Sequence, residues 1–211
     1  MNYTESFDAE FDKIDFYKKY PIMRPFVGCH YQDTDLKILI IAESHYLPQN
    51  STIHLNAEQW FKGGEKKMNK CEQKWVKTRN IIGGKDMKAH TIYRNLAKAL
   101  VETGFPDEGN AFRSVAFMNA FQRPARCKKS IKVEKIDLEV SRHVVQSVVD
   151  ILRPDAIIFT STKAAKKIGK HITGRKYRTP HPACGWWGRA SKKGTGKAQF
   201  MQIIHQLRKN K

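Results

Sequence analysis

The sequence holds 211 residues, 39 of them Lys or Arg against 20 Asp or Glu, for a formal net charge of +19. A chain of this length buries roughly 70% of its extended surface on folding and needs no disulfide framework. Its four cysteines, Cys29, Cys71, Cys127 and Cys184, form no C-x-x-C pair, which argues against zinc ribbons and redox motifs and suits a reducing compartment.

The start MNYTESFDAEFDK is polar and acidic, unlike a signal peptide, and the longest apolar run, at 38–42, is far too short for a bilayer. A cytoplasmic protein with no membrane partner is expected. Phe7, Phe11, Ile14, Phe16 and Tyr17 recur at roughly helical spacing through 5–20, predicting an amphipathic helix that ends at Pro21. The unbroken β-branched run at 36–42 predicts a strand buried on both faces, stopping at the polar cluster Glu43, Ser44, His45 and Tyr46. From 48 to 86 the chain is rich in Lys, Asn and Gly, with Trp60, Phe61 and Trp75 as its large apolar anchors. That stretch is long for a connection and predicts an inserted, partly helical excursion.

Residues 90–103 predict a helix with Ile92, Leu96, Ala99 and Leu100 on one face and Gly104 past its end. A second strand is expected at 114–121, a long helix at 133–152 and a third strand at 155–160. A short hydroxyl-capped helix at 161–170, a fourth strand at 176–179 and a helix at 197–207 follow. Strands alternating with helices predict an α/β fold, a mostly parallel sheet covered on both faces. In such sheets the ligand crevice lies at the carboxyl ends of the strands.

The charge is unevenly placed. Residues 161–211 carry fourteen Lys or Arg and no acid, and 123–135 carry six against Glu134, whereas the first fifteen residues hold five acids and one Lys. Such asymmetry points to a polyanion, because neutralising phosphates releases condensed counterions. DNA, double- or single-stranded, or RNA is therefore the expected partner; no stretch reads as a basic amphipathic membrane helix.

Polar clusters stand at the ends of three predicted strands, at 43–46, 119–126 and 181–187. KILIIAESHY resembles the first motif of uracil-DNA glycosylases, where a buried strand runs into GQDPYH in one family or GEAPG in the fourth. NAFQRP resembles the fourth family's N-x-x-K-C-R-P, RPDAIIFTSTKAAKKI the strand and helix that follow, and HPAC the histidine-proline motif near the C-terminus. The match runs in order from 37 to 187, with 48–86 unmatched. It implies a three-layer α/β/α sandwich with a central four-stranded parallel sheet, order 2-1-3-4, and hydrolysis of the N-glycosidic bond of uracil or another modified base. The fourth family's iron-sulfur cysteines are missing: Cys29 is solitary and Gln122 stands before Arg123-Pro124, so no cofactor and no metal are expected.

The resemblance also implies roles. Base excision flips a nucleotide from the stack, develops oxocarbenium character on the sugar and leaves negative charge on the departing base. His181 would face that base and Asn119 would read its edge. Glu43 would position water, because Ser44 occupies the water-activating aspartate position of the first family and serine is no base at neutral pH. Tyr46 matches a tyrosine that screens out a thymine methyl. In HPACGWWGRASKKGTGK, Trp186 or Trp187 would serve as a wedge between base steps. Arg189, Lys192, Lys193 and Lys197 would track phosphates, with Arg123 and Arg126 contributing to DNA binding. A Ser44–His45 catalytic pair is excluded, since neighbours on an extended segment point in opposite directions and no G-x-S-x-G elbow exists. Ser44 also leaves open a protein that keeps the fold and binds nucleic acid without cutting it.

Overall fold

The computed structural model describes residues 1–63, 68–84, 87 and 90–211. Among these, five strands form one sheet: β1 (Phe26–Val27), β2 (Ile38–Leu47), β3 (Ala116–Arg126), β4 (Ala156–Phe159) and β5 (Lys176–Arg178). Their spatial order is β1-β3-β2-β4-β5. β3, β2, β4 and β5 run parallel, in the relative order expected for the four strands. The four-stranded expectation is corrected by β1, which adds an antiparallel edge through Phe26 opposite Phe117 and Val27 opposite Ala116. Two residues are too short to leave a periodic signal in the sequence. The chain leaves β1 through Gly28, where a Cβ would collide with the carbonyl oxygens of Phe112 and Arg113.

Alternation along β2 separates two apolar layers. Leu39 and Ile41 join Met118, Ala120, Ile157 and Phe159 on one face, and Ile38, Ile40 and Ala42 join Phe117, Ala156 and Ile158 on the other. The first layer is covered by α1 (Asp8–Phe11), α2 (Asp15–Lys19), α3 (Ala57–Gly63) and α7 (Lys135–Leu152). The second is covered by α6 (Thr91–Glu102) and α9 (Gly196–Lys209). Between them in the chain lie α4 (Lys70–Val76), α5 (Thr78–Gly83) and α8 (Thr162–Lys167). A sheet covered on both faces explains why its strands read as continuous apolar runs. No helix among the described residues is long and apolar enough to cross a membrane.

Two expectations change. The single helix at 5–20 is two short ones, α1 and α2. Phe11, Ile14, Phe16, Tyr17 and Tyr20 are all buried, and one continuous helix would spread them over more than one face. The first strand does not stop at Glu43 but runs on to Leu47, because β3 continues beside it to Arg126. Ser44 pairs with Phe121 and Tyr46 with Ala125, with an irregularity between them. The insertion at 48–86 is partly helical, as expected, with turns over 48–56 followed by α3, α4 and α5; residues 64–67 and 85–86 lie outside the described residues. Trp60 is fully buried and stacks on Tyr20 at 5.0 Å between centroids, anchoring the insertion to α2.

Candidate functional site

β2 and β3 outrun β4, which ends opposite Ile41, and the polar residues past that point line a cleft of about 540 Å³. Glu43, Ser44, His45 and Tyr46 come from β2, Asn119 from β3, and His181 from the segment after β5. Asn119 pairs with Ala42 in the parallel ladder, so register places it beside Glu43. The 181–182 segment is held to α6 by the Asn95 side chain, which donates to the Pro182 carbonyl at 2.7 Å.

Glu43 is the most heavily partnered of these groups. Ser130 donates to Oε1, Ser161 donates to Oε2 at 2.9 Å, and Lys163 Nζ stands 3.9 Å from Oε1. The Ser161 hydroxyl also accepts from the Ala164 N–H at 3.2 Å, capping α8. Each carboxylate oxygen keeps a second lone pair, enough to hold a water.

His181 Nδ1 accepts from the Ala183 N–H at 3.1 Å, which leaves the ring proton on Nε2. Burial lowers its pKa below the usual imidazole value, and Glu43 opposes the shift without cancelling it. At neutral pH the ring is therefore a neutral hydrogen-bond donor. Asn119 is 8% exposed, and no described group bonds its side-chain amide. The amide atoms are not sealed from solvent, so donor and acceptor both stand open to whatever enters the cleft. Burial, followed by Glu43, pushes the Tyr46 phenol up.

His45 is buried on the same strand. Its Nε2 lies 3.0 Å from Thr78 Oγ1 and it is hydrogen-bonded to the Trp75 backbone, while burial drives its pKa down to about 4. It is a neutral bridge between the sheet and the insertion. Through it, Lys74, Trp75 and Ile81 join the cleft lining, together with residues 90–93 at the start of α6.

The expected DNA-contacting residues lie outside this lining. Arg126, Arg189, Lys192 and Lys193 are exposed. Arg123 is not: it is 5% exposed and forks onto Asp137, with Nε to Oδ1 at 2.8 Å and Nη2 to Oδ2 at 2.5 Å. It also donates to the carbonyls of His54 and Lys132, at 2.9 and 2.8 Å. The expectation of a DNA-binding Arg123 is corrected: its charge is spent inside the protein. The two tryptophans divide. Trp187 packs on Phe200 at 5.9 Å, which corrects its reading as a wedge, while Trp186 is 54% exposed with the Arg189 guanidinium 5.8 Å from its ring centre.

Sequence reasoning missed Ser130, Ser161 and Lys163 as the holders of Glu43, and Lys74 and Trp75 as cleft wall. The helix-capping hydroxyl of Ser161 and the isolated Trp75 were visible signals; Ser130 gave none. Compared with models of known protein families and with curated proteins, the chain gives no match. The cleft's own residues carry the functional argument.

Proposed function

We propose that the cleft receives a base flipped out of DNA and that the protein is a metal-free, monofunctional DNA glycosylase with a uracil-DNA glycosylase-like α/β/α fold. The observation that carries this reading is the meeting of Glu43, Asn119 and His181, from three distant segments, in one cleft at the carboxyl side of the parallel strands. Asn119 offers an unpartnered amide to a base edge. His181 offers a neutral Nε2–H to the oxygen on which the departing base gathers charge, a contact worth about 3 kcal/mol in a dry site. Glu43, fixed by Ser130 and Ser161, holds water against the sugar. No metal enters these roles.

The surface supports the same partner. Arg126 ends β3, and Ser130 in the basic loop after it reaches Glu43 in the cleft. Arg189, Lys192 and Lys193 stand exposed in the loop that carries Trp186, an exposed apolar ring of the kind that enters base steps.

A second reading is a nucleic-acid-binding protein that keeps the cleft without the chemistry. Ser44 favours it, because a serine that is no base at neutral pH stands where the first glycosylase family carries its water-activating aspartate. The two readings separate on duplex and single-stranded oligonucleotides carrying uracil, hypoxanthine, xanthine, oxidised or alkylated bases, or bulky pyrimidines, with alkali to reveal abasic sites. The glycosylase reading expects cleavage that falls by two to three orders of magnitude in His181→Ala. Tight binding without cleavage across the panel supports the second reading. Failure to bind DNA or RNA at low salt sinks both.

A further inference from the structure

Trp75 occupies an unusual position for so large an apolar side chain. Its helix, α4, is well anchored: Asn69 and Glu72 form a reciprocal capping box, and Val76 is fully buried. The Trp75 backbone is tied to the buried His45, and Thr78, three residues on, meets the same imidazole at 3.0 Å. With its backbone fixed in this way, Trp75 is 38% exposed and lines the cleft. A partly exposed indole on a cleft wall offers a flat apolar face to a planar ligand.

The cleft's size says which partner. Its volume of about 540 Å³ falls among pockets that enclose whole small molecules, roughly 300–1,000 Å³, and leaves room beyond a pyrimidine with its sugar. The unpartnered Asn119 amide gives that partner a polar edge to meet. Lys74, the neighbour of Trp75, adds a cation to the same lining.

From this juxtaposition we infer that Trp75 is a stacking wall, carried by the insertion, that fits the cleft to a base larger than an unsubstituted pyrimidine. The chemistry is that of a planar heterocycle extended by a fused ring or by a bulky ring substituent. This rests on reading the cleft as a base pocket. Trp75 then determines which base is held, while Asn119 and His181 act on whatever base is present.

The test uses the full chain and three free nucleosides: uridine, inosine, and uridine bearing a bulky 5-substituent. Each is titrated by calorimetry into the wild type, Trp75→Phe and Trp75→Ala, with melting curves to establish that the variants fold. The expected result is that inosine, the substituted uridine or both bind the wild type more tightly than uridine does. Trp75→Ala weakens the favoured nucleoside by on the order of tenfold, and Trp75→Phe restores most of the loss. Which of the two nucleosides responds separates the fused-ring source from the substituent source. A wild type that prefers uridine, binds no nucleoside, or holds the larger ones equally well after Trp75→Ala overturns the inference. The excision assay keeps the underlying reading separate. Excision with a dispensable Trp75 removes only the stacking wall, whereas Trp75-dependent binding without excision removes only the chemistry.

Discussion

Glu43, Ser44 and Asn119 stand on β2 and β3, where paired backbone fixes each residue by register; Lys74, Trp75 and Ile81 stand on α4 and α5, of seven and six residues. Helices that short have little stability of their own. They are held by a few side-chain clamps reaching in from elsewhere. Arg79 on α5 forks onto Asp8 and donates to the Pro25 carbonyl at 3.0 Å, and His45 holds Thr78. Arg123 grips the His54 carbonyl at the start of the insertion. One part of the cleft is thus set by a continuous ladder and the other by discrete polar contacts. The difference teaches that the insertion can be loosened one clamp at a time while the sheet residues keep their places.

The sharpest way to break that contrast is Asp137→Ala. Asp137 is fully buried and is the carboxylate on which Arg123 forks. Removing it strands a desolvated guanidinium, so a loss of about 3–5 kcal/mol is expected from denaturant midpoints. Trp60 fluorescence and the loop of Ser130 should respond before the β2–β3 amides lose hydrogen-exchange protection. A loss below about 1 kcal/mol would show that the pair is not desolvated.

The matching perturbation on the sheet is Gly28→Ala. Its Cβ would meet the Phe112 and Arg113 carbonyls, so β1 must shift away from β3. A cost of about 1–3 kcal/mol is expected, the range for overpacking. Nucleoside binding should survive it, because Glu43 and Asn119 are held by the β2–β3 ladder and not by the β1 edge. Loss of binding at full folding would instead tie the edge strand to the cleft.

The same contrast marks what the sequence discloses. The unbroken run from Ile38 to Ala42 announces a doubly covered strand, and the strand–helix alternation announces the α/β class, because both follow from local pattern. The extension of β2 through Glu43–Leu47 was hidden by its polar composition; a neighbouring strand supplies the pairing that hydrophobicity does not advertise. Glu43, Asn119 and His181 were legible as residue types at strand ends, and only strand order brings them together. Arg123 and Trp187 misled for one reason: composition reveals a charge or a ring, never the partner that buries it. The insertion wall was illegible because its position depends on tertiary clamps between residues tens of positions apart, such as His45 with Thr78.

Acid should loosen the clamped region. Burial lowers both His45 and His54 to about 4, while an unfolded chain titrates near 6.5. Between those values the unfolded state takes up protons that the folded state refuses, so stability falls as pH drops through that window and is fully present above it. His54 sharpens the point. It is 1% exposed, both ring nitrogens lack partners, and Arg123 and Arg126 further oppose its protonation. His54→Leu removes two unsatisfied polar atoms without removing the backbone carbonyl that Arg123 grips. Melting temperatures from pH 7 to 4 should show an unchanged or higher value at pH 7 and a shallower acid limb. A limb as steep as in the wild type would move the acid sensitivity to His45 or elsewhere.

The smallest expected effect lies away from the cleft and checks that such changes report on their own surroundings. Arg153 ends α7 in the left-handed region, at φ 45°, immediately before Pro154. A side chain there carries a steric cost that glycine escapes, though glycine also gives the unfolded chain more freedom. The cap's N–H to the Val149 carbonyl, at 2.8 Å, is backbone and survives the change. The left-handed penalty is about 1 kcal/mol and the entropy term recovers roughly half or more of it. Arg153→Gly should therefore stabilise the protein by at most about 0.5 kcal/mol, read as a small rise in melting temperature, with nucleoside affinity unchanged. Weaker nucleoside binding at this site would mean that the end of α7 communicates with the cleft through β4, and that the register-held part of the molecule is less independent than its ladder implies.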